Sequence, residues 1–190
     1  MKKIIFVTTN KGKADEVCKI MRGFKVSVKS LSLREDYSLP HEKLVTAKAR
    51  HAFELLGKPL VVEDTILLVD GFKGYPGLKT KDEYQRLGLE GFLKKCGGRN
   101  AVFRTLAAFF DGRAVKLFEG NCEGRISKAP GVVRAGVNPH LPFLRVFIPD
   151  GFEVPVSEFS KKNFEKFMFE RNHRAKAFKK LAKWLSAKLH

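Results

Sequence analysis

Apolar residues recur along this chain with two different spacings, and each spacing predicts its own kind of element. The unbroken apolar run at residues 4–7 is typical of a buried strand, and a second such run follows at residues 60–62. Between them, residues 25–30 alternate between polar and apolar positions, as a half-buried strand does. The first third of the chain therefore contains three predicted strands.

Apolar residues three and four positions apart predict the helices. In the first half of the chain this spacing predicts one helix around residues 14–21 and another over residues 45–56, which Gly57 closes. In the second half it predicts a helix around residues 84–92 and a C-terminal helix over residues 178–189. A predicted helix thus separates the first strand from the second and the second from the third.

Turn residues divide the remaining apolar segments into hairpins. Asp70-Gly71 predicts a turn between residues 66–69 and the segment around Phe72. Further along, residues 101–118 predict a second hairpin, and residues 123–126 predict a separate strand. Helices alternate with strands in the first half and a meander dominates the second, which predicts one mixed sheet with helices on its faces.

Length and composition predict a single domain with a substantial core, since the chain has 190 residues and 44% of them are hydrophobic. No run of about 18 apolar residues occurs, so we expect no membrane-spanning helix. The apolar stretch after the basic start is too short for a signal peptide. The 3 cysteines are scattered and form no C-x-x-C pair, which indicates free thiols and a cytoplasmic protein.

The formal net charge of +17 points to an anionic partner. Nucleic acid, nucleotides and acidic membrane surfaces would all be attracted to such a chain. Much of the excess charge lies within residues 161–188, where it could equally form a solvated face with only nonspecific attraction. Neither a zinc-finger spacing nor an RNA-reading aromatic motif occurs. The charge therefore predicts nonspecific nucleic-acid affinity without choosing the partner.

Two parts of the chain have the features of an anion site. After the first strand, polar residues lead directly into a helix, whose first N–H groups and positive end favour a phosphate. Asn10 and Lys13 add side-chain donors there, although Thr9 or Asn10 could act only as the helix N-cap. Near the last helix, His173 and Arg174 could grip an anion or could belong to a solvated basic face.

Acidic residues are scarce, so those at strand ends are candidates for catalysis. Glu63 and Asp64 follow an apolar strand, at the edge where open α/β sheets bind ligands. They could hold a divalent metal or activate a water, or they could cap a turn and pair with lysines. Glu35 in an irregular loop and Lys48 on a helix would, taken alone, be ordinary surface residues.

A set of short motifs follows one another along nearly the whole chain. In chain order they are Thr8-Thr9-Asn10-Lys11-Gly12-Lys13, Lys48, Glu63-Asp64-Thr65, Gly74-Tyr75-Pro76-Gly77, Gly124-Arg125-Ile126, Phe147-Ile148-Pro149-Asp150-Gly151 and Asn172-His173-Arg174. Each motif is short, but their order and spacing are specific. On these motifs the chain resembles the inosine triphosphate pyrophosphatase family, also called the Ham1-type family.

The resemblance implies an α/β fold with an elongated mixed β-sheet flanked by helices. It implies that residues 1–190 form one domain with two lobes around a deep nucleotide cleft, assembled as a homodimer. The implied activity is Mg²⁺-dependent hydrolysis of nucleoside triphosphates, chiefly non-canonical purines such as ITP and XTP, to monophosphate and pyrophosphate. The alternative is a catalytically altered protein on the same fold that binds nucleotides or nucleic acid.

The resemblance also assigns roles to individual residues. It implies that Asp64 is catalytic, activating a water, and that Asp64 and Glu35 bind the metal. The implied substrate-binding residues are Thr8, Asn10, Lys13, Lys48, Thr65, Phe143, Lys162, His173 and Arg174.

One segment departs from the family pattern. The family reads the base through F-G-[YW]-D-P, and this string is absent here. One alignment places Asn138 at the position of the aspartate, and another keeps a single aromatic residue, Phe143, and no acid. Each lost stacking contact weakens base binding by roughly 1–3 kcal/mol. We therefore expect hydrolysis to be retained and the base preference to be altered.

Overall fold

The computed structural model describes residues 2–134 and 142–188, and these contain seven β-strands and five α-helices. The strands are β1 (Lys2–Val7), β2 (Phe24–Lys29), β3 (Leu60–Val69), β4 (Pro76–Gly77), β5 (Asn100–Phe110), β6 (Val115–Ile126) and β7 (Phe147–Pro149). The helices are α1 (Lys11–Ile20), α2 (His41–Leu56), α3 (Thr80–Cys96), α4 (Lys161–Lys166) and α5 (His173–Lys188). A π-helical turn, Phe167–Arg171, follows α4.

All seven strands belong to one sheet in the order β2-β1-β3-β5-β6-β7, with β4 paired to β3. Strand β1 runs parallel to both β2 and β3, because a helix carries the chain back across the sheet each time. Strands β4 and β7 run antiparallel to β3 and β6 respectively. The predicted α/β class with one mixed sheet is thus confirmed.

The chain divides into two compact units. The first unit comprises Met1–Thr65, Thr105–Gly120 and Asn172–His190, and the second comprises Ile66–Arg104 and Asn121–Arg171. Each unit has its own apolar core. The core of the first unit is built around Phe6, Val17, Val61, Phe178 and Leu181. The core of the second unit is built around Leu67, Phe92, Phe103, Ile126 and Phe147.

Local signals set the helix ends in the first unit. The Asn10 side chain accepts a hydrogen bond from the backbone N–H of Lys13 at 3.1 Å and caps α1. Helix α2 ends at Gly57, whose φ of 61° lies in the left-handed region that glycine enters without strain. The end at Gly57 was predicted, and Asn10 was one of the two residues that the sequence offered as the cap of α1.

Two strands are longer than the sequence predicts. Strand β3 continues from the apolar run through Glu63 to Val69, so Glu63 and Asp64 lie inside a strand and not at its end. The predicted hairpin between residues 66–69 and the segment around Phe72 is wrong, because the antiparallel partner of β3 is β4. Strand β3 tolerates the buried carboxylate of Glu63 because Lys13 and Arg174 pair with it.

Residues 123–126 are likewise not a separate strand, because β6 runs unbroken from Val115 to Ile126. Gly120, which breaks the apolar pattern, lies where a Cβ atom would collide with the backbone of α5 at His173 and Ala177. Its missing side chain lets α5 pack closely on the strand. Further along, Pro142–Arg145 form a 3₁₀ turn that leads into β7.

Candidate functional site

Nine of the eleven residues predicted for the site lie in the first unit. They come from the β1–α1 junction, the loop before α2, helix α2, strand β3 and the start of α5. Those nine are Thr8, Asn10, Lys13, Glu35, Lys48, Asp64, Thr65, His173 and Arg174. The remaining two, Phe143 and Lys162, lie in the second unit.

The β1–α1 junction presents donors at the start of a helix. Thr8 Oγ1 accepts a hydrogen bond from the Asn10 N–H at 3.2 Å, which shapes the turn. The first turn of α1 contains no acidic residue, so its positive end is not offset within the helix. Lys13 in this turn forms an ion pair with Glu63. The junction thus combines backbone N–H groups with a lysine ammonium, as an anion site requires.

Glu63 is the most buried carboxylate of the site, with only 1% of its side chain exposed. It pairs with Lys13, lies 3.4 Å from Arg174 Nε and accepts a hydrogen bond from Thr65 Oγ1 at 2.9 Å. Burial alone would raise the pKa of Glu63, but the charges of Lys13 and Arg174 outweigh it and hold the pKa well below its ordinary value. Glu63 is therefore a structural anion that orients two cations.

Arg174 is held by three partners. Its Nη1 lies 2.6 Å from Glu16 Oε2, its Nε 3.4 Å from Glu63, and its Nη2 donates to Thr65 Oγ1 at 3.2 Å. Burial would lower the pKa of Arg174, but Glu16 and Glu63 outweigh it and raise the pKa. Asn172 completes the arrangement, because its amide donates to Glu16 Oε1 at 2.6 Å.

Asn172 also caps α5. Its side-chain oxygen accepts a hydrogen bond from the Ala175 N–H at 2.7 Å. The same amide therefore caps the N-terminus of the helix that carries His173 and Arg174, and it also holds Glu16 on α1. Asparagine can do both because it has an acceptor and two donors on one side chain.

Lys48 joins the two carboxylates that were predicted to bind a metal. Its ammonium lies 2.5 Å from Glu35 Oε1 and 3.3 Å from Asp64 Oδ1. Burial would lower the pKa of Lys48, but the charges of Asp64 and Glu35 outweigh it and raise the pKa. Burial would raise the pKa of Glu35, but hydrogen bonds from Lys48 and Tyr37 outweigh it and lower the pKa. Both groups are thus charged near neutral pH.

The second oxygen of Asp64 faces a histidine. Asp64 Oδ2 lies 3.2 Å from His41 Nε2, at the first residue of α2, and His41 is only 6% exposed. Within the described residues, neither ring nitrogen of His41 forms a hydrogen bond of good geometry. Asp64 thus has the Lys48 ammonium beside one carboxylate oxygen and the His41 imidazole beside the other.

His173 is connected to the site by two threonines. Its Nδ1 lies 2.6 Å from Thr105 Oγ1, and Thr105 Oγ1 lies 2.6 Å from Thr65 Oγ1. Burial and the neighbouring Arg174 charge hold the pKa of His173 well below its ordinary value. His173 is therefore neutral at physiological pH.

Charges nearly balance within this cluster. Its carboxylates are Glu16, Glu35, Glu63 and Asp64, and its cations are Lys13, Lys48 and Arg174. The cluster is slightly acidic inside a strongly basic chain. The lysines and the arginine that could bind an anionic ligand are therefore already paired with carboxylates. A cation bound in the cluster would favour the binding of that ligand.

The two predicted residues of the second unit have other surroundings. The Phe143 ring packs against Tyr84, Phe92 and Phe103, with ring centroids 4.8, 5.7 and 5.5 Å away. These contacts give it a place in the core of that unit. Lys162 is exposed on α4. Asn138, the other candidate for reading the base, lies outside the described residues.

Sequence reasoning missed four members of the cluster, namely Glu16, His41, Thr105 and Asn172 as an anchor for Glu16. Glu16 follows Lys13 by three residues on one helix face, a spacing that signals a shared ion network. Thr105 interrupts an apolar strand, and a polar residue with no exposure there requires a partner. Nothing in the sequence distinguished His41 from the other histidines.

Comparison with known proteins identifies the family of this chain over nearly its whole length. A model of the Ham1 family matches residues 4–184. A dITP/XTP pyrophosphatase of Pyrococcus horikoshii is 34% identical, covering 98% of this chain and 98% of that protein. An inosine triphosphate pyrophosphatase of Yarrowia lipolytica is 33% identical, covering 97% of this chain and 96% of that protein.

Solved structures agree with this at the level of the fold. The Ham1 protein of Staphylococcus aureus superposes with a TM-score of 0.75 at 20% identity, covering 98% of this chain and all of that chain. A HAM1 protein from Coxiella burnetii gives the same TM-score, identity and coverage of this chain. At this identity the structural likeness supports the fold alone.

Proposed function

Because this chain belongs to the Ham1 family, we propose that it is a nucleoside triphosphate pyrophosphatase that releases a nucleoside monophosphate and pyrophosphate. The observation that carries the proposal is the convergence of Glu35 and Asp64 on Lys48, beside the α1 junction with Lys13. A protein that only bound nucleotides would not need two carboxylates facing its lysines. The relatives' names support dITP and XTP as the substrates to test first.

The cations and the helix end would bind the triphosphate. The first N–H groups of α1 and the Lys13 ammonium suit a phosphate, which would compete with Glu63 for the lysine. Lys48 would contribute a second positive charge, Thr8 would hold the β1–α1 turn, and Thr65 in β3 would hold the carboxylate of Glu63. The products require cleavage of the anhydride bond between the α- and β-phosphates. We place the attack of water at the α-phosphorus, so that the bridging oxygen leaves with pyrophosphate.

We assign Asp64 as the general base. Its carboxylate would accept a proton from the attacking water, a role that contributes typically 10²–10⁴-fold to rate. Lys48 contacts Oδ1 and His41 contacts Oδ2, so both oxygens have defined surroundings. His173 and Arg174 lie at the start of α5, and we place them at the base end of the substrate.

Glu35 and Asp64 fit a magnesium ion. Carboxylate oxygens are the ligands that Mg²⁺ prefers, and it is usually held by one or two carboxylates together with waters and substrate phosphates. Over residues 2–134 and 142–188 no group of three or more His, Cys, Asp or Glu could hold a metal ion, so waters and substrate phosphates would have to supply the remaining ligands. When bound, Mg²⁺ would neutralise phosphate charge and stabilise the charge that develops in the transition state.

The proposal is tested by pyrophosphate release from a panel of nucleoside triphosphates, with and without Mg²⁺. We expect the wild-type protein to turn over dITP and XTP, chelation to abolish the activity, and Asp64→Asn to reduce kcat by at least about 100-fold. Asp36→Asn is the matched control, because Asp36 is an exposed acid that bonds only its own loop at Ser38.

Absence of turnover on every nucleotide, or full activity in Asp64→Asn, would contradict the proposal. The ranking of the panel would also test the altered base preference. A protein that has lost the family's F-G-[YW]-D-P string should discriminate less between dITP and the standard purine nucleotides than a relative that has kept it.

The net charge of +17 supports a second, accompanying property, which is nonspecific affinity for nucleic acid. Its signature would be an affinity for single-stranded DNA or RNA that falls steeply between 50 and about 200 mM salt.

We also propose a homodimer in the cytoplasm, supported by the family resemblance and by three cysteines that are all free thiols. Light scattering coupled to gel filtration tests the dimer. Among the described residues, no helix is both long and apolar enough to span a membrane.

A further inference from the structure

A chain of side-chain hydrogen bonds links the buried ion network of the first unit to His173. Thr65 Oγ1 receives a hydrogen bond from Arg174 at 3.2 Å and lies 2.9 Å from Glu63 Oε2. Thr105 Oγ1 follows at 2.6 Å, and His173 Nδ1 lies 2.6 Å beyond it. Thr105 is wholly buried in β5, and the proposed function assigns it no role.

The donors in this chain can be assigned from its charged end. Arginine is only a donor, so Thr65 must accept from Arg174. Glu63 is buried and forms ion pairs with both Lys13 and Arg174, so it is held as a carboxylate, which is only an acceptor. The single hydroxyl proton of Thr65 therefore points to Glu63. If it pointed elsewhere, two oxygen atoms would face each other at 2.9 Å with no proton between them.

This assignment fixes the direction of the next two hydrogen bonds. Since the Thr65 proton is used on Glu63, the short contact between the two threonines requires Thr105 to be the donor. Because the hydroxyl proton of Thr105 is donated to Thr65, Thr105 can only accept a hydrogen bond from His173. The neutral His173 ring must carry its proton on Nδ1, which leaves Nε2 with a lone pair.

We propose that Thr105 is a positioning residue, which holds His173 in the tautomer protonated at Nδ1 and makes Nε2 a hydrogen-bond acceptor. The charged pair of Glu63 and Arg174 sets this direction through Thr65. The role differs from that of a residue that merely packs, because it depends on one hydroxyl group and changes the donor pattern of another side chain.

The tautomer has a consequence for the substrate, and this part rests on the proposed function, which places His173 at the base end. An acceptor nitrogen pairs with an N–H group of the base. The lactam purines, hypoxanthine and xanthine, carry a proton on N1, whereas adenine has a lone pair there. A His173 ring fixed in this way therefore favours lactam purines over adenine.

The tautomer can be read directly by NMR. Two-bond ¹H–¹⁵N correlation spectra of the protein labelled with ¹⁵N-histidine distinguish a ring protonated at Nδ1 from one protonated at Nε2. The chain has 5 histidines, and His173→Gln identifies the signals that belong to His173. We expect the Nδ1-protonated pattern in the wild type and in Thr105→Ser, which keeps the hydroxyl. In Thr105→Val, which keeps the shape and loses the hydroxyl, we expect the Nε2-protonated form to appear.

Kinetics give a second readout. We expect Thr105→Val to raise KM for dITP about tenfold with a smaller change in kcat, as loss of one hydrogen bond to the bound base would do. KM for dATP should not rise, and Thr105→Ser should restore the value for dITP.

An Nε2-protonated His173 in the wild type would overturn the inference, whether or not Thr105→Val folds. An unchanged tautomer in a folded Thr105→Val would also overturn it, as would equal effects on dITP and dATP. Failure of the proposed function is recognised separately, because it would appear as absence of pyrophosphate release from the wild-type protein while the NMR result stood.

Discussion

Replacing Arg174 by methionine should destabilise the first unit strongly. Methionine keeps the length and apolar stem of the side chain and removes the guanidinium. The change leaves two carboxylates without their shared partner, Glu16 at 2.6 Å and Glu63 at 3.4 Å. Their side chains are 8% and 1% exposed, so water cannot replace the lost charge.

The magnitude follows from what each carboxylate keeps. Glu63 retains Lys13 and the hydroxyl of Thr65, whereas Glu16 retains only the amide of Asn172 among the contacts described above. The cost therefore falls mainly on Glu16. Breaking one partner out of a buried pair costs about 3–5 kcal/mol, and a domain has only about 5–15 kcal/mol of stability in all. We expect the free energy of unfolding to fall by about 3–5 kcal/mol.

The assay is urea unfolding followed by fluorescence of Trp184, the single tryptophan of the chain. Trp184 packs on Phe109 and Phe118 in the first unit, so its signal reports on the unit that holds the network. Lys180→Met is the matched control on the same helix. Lys180 is exposed and its ammonium donates to the backbone carbonyl of Glu119 at 2.8 Å, and a hydrogen bond of this kind contributes about 1 kcal/mol.

A second substitution separates the buried charge from other effects. In the double variant Glu16→Gln with Arg174→Met, the unpaired charge is gone, and the side chain at position 16 keeps its shape. We expect the double variant to recover about 2 kcal/mol relative to Arg174→Met alone, a coupling typical of side chains in contact. The reasoning is refuted if Arg174→Met costs no more than Lys180→Met, or if Glu16→Gln adds to the loss.

Two further predictions concern the start of α5. Gly120→Ala places a Cβ atom against the backbone of α5 at His173 and Ala177. We therefore expect the free energy of unfolding to fall by about 1–3 kcal/mol in the same assay. A fall of less than about 0.5 kcal/mol would argue against the close approach of strand and helix. The pKa of His173 in the folded protein lies well below its ordinary value of about 6.5. The contribution of the neutral His173 ring to stability is therefore complete above pH 6.5. It is lost as the pH falls, because the unfolded chain then binds the proton and the folded chain does not. Between pH 7.5 and 5.5 the wild type should therefore lose up to about 1.4 kcal/mol more than His173→Gln, and equal losses in the two proteins would contradict the assignment.

Much of the fold could be predicted because its signals are local. The apolar run before Asn10 and the spacing over residues 45–56 depend on neighbours in the chain, as do the caps at Asn10 and Gly57. Strand β3 was predicted too short because Glu63 is a charged residue, and propensity alone argues against burying it in a strand. Only the distant partners Lys13 and Arg174 make its burial possible.

The candidate site was predictable in its residue types and not in its contacts. Family resemblance named Glu35 and Lys48, which have no distinguishing local pattern, and the structure shows them paired. Glu16 and Thr105 could not be found in this way, since their partners lie more than 65 positions away in the sequence, at Arg174 and His173. Hydrogen bonds of this range are a property of the tertiary fold and leave no periodicity in the chain.

The double use of Asn172 constrains how this protein and its relatives can diverge. Its amide joins the cap of α5 to Glu16, 156 positions earlier, and Glu16 in turn holds Arg174. A single mutation at position 16, 172 or 174 removes one partner from a buried charged side chain, whereas a coordinated change of the three need not. These positions should therefore covary across the family, and evolution should pass between their permitted combinations by way of unstable intermediates.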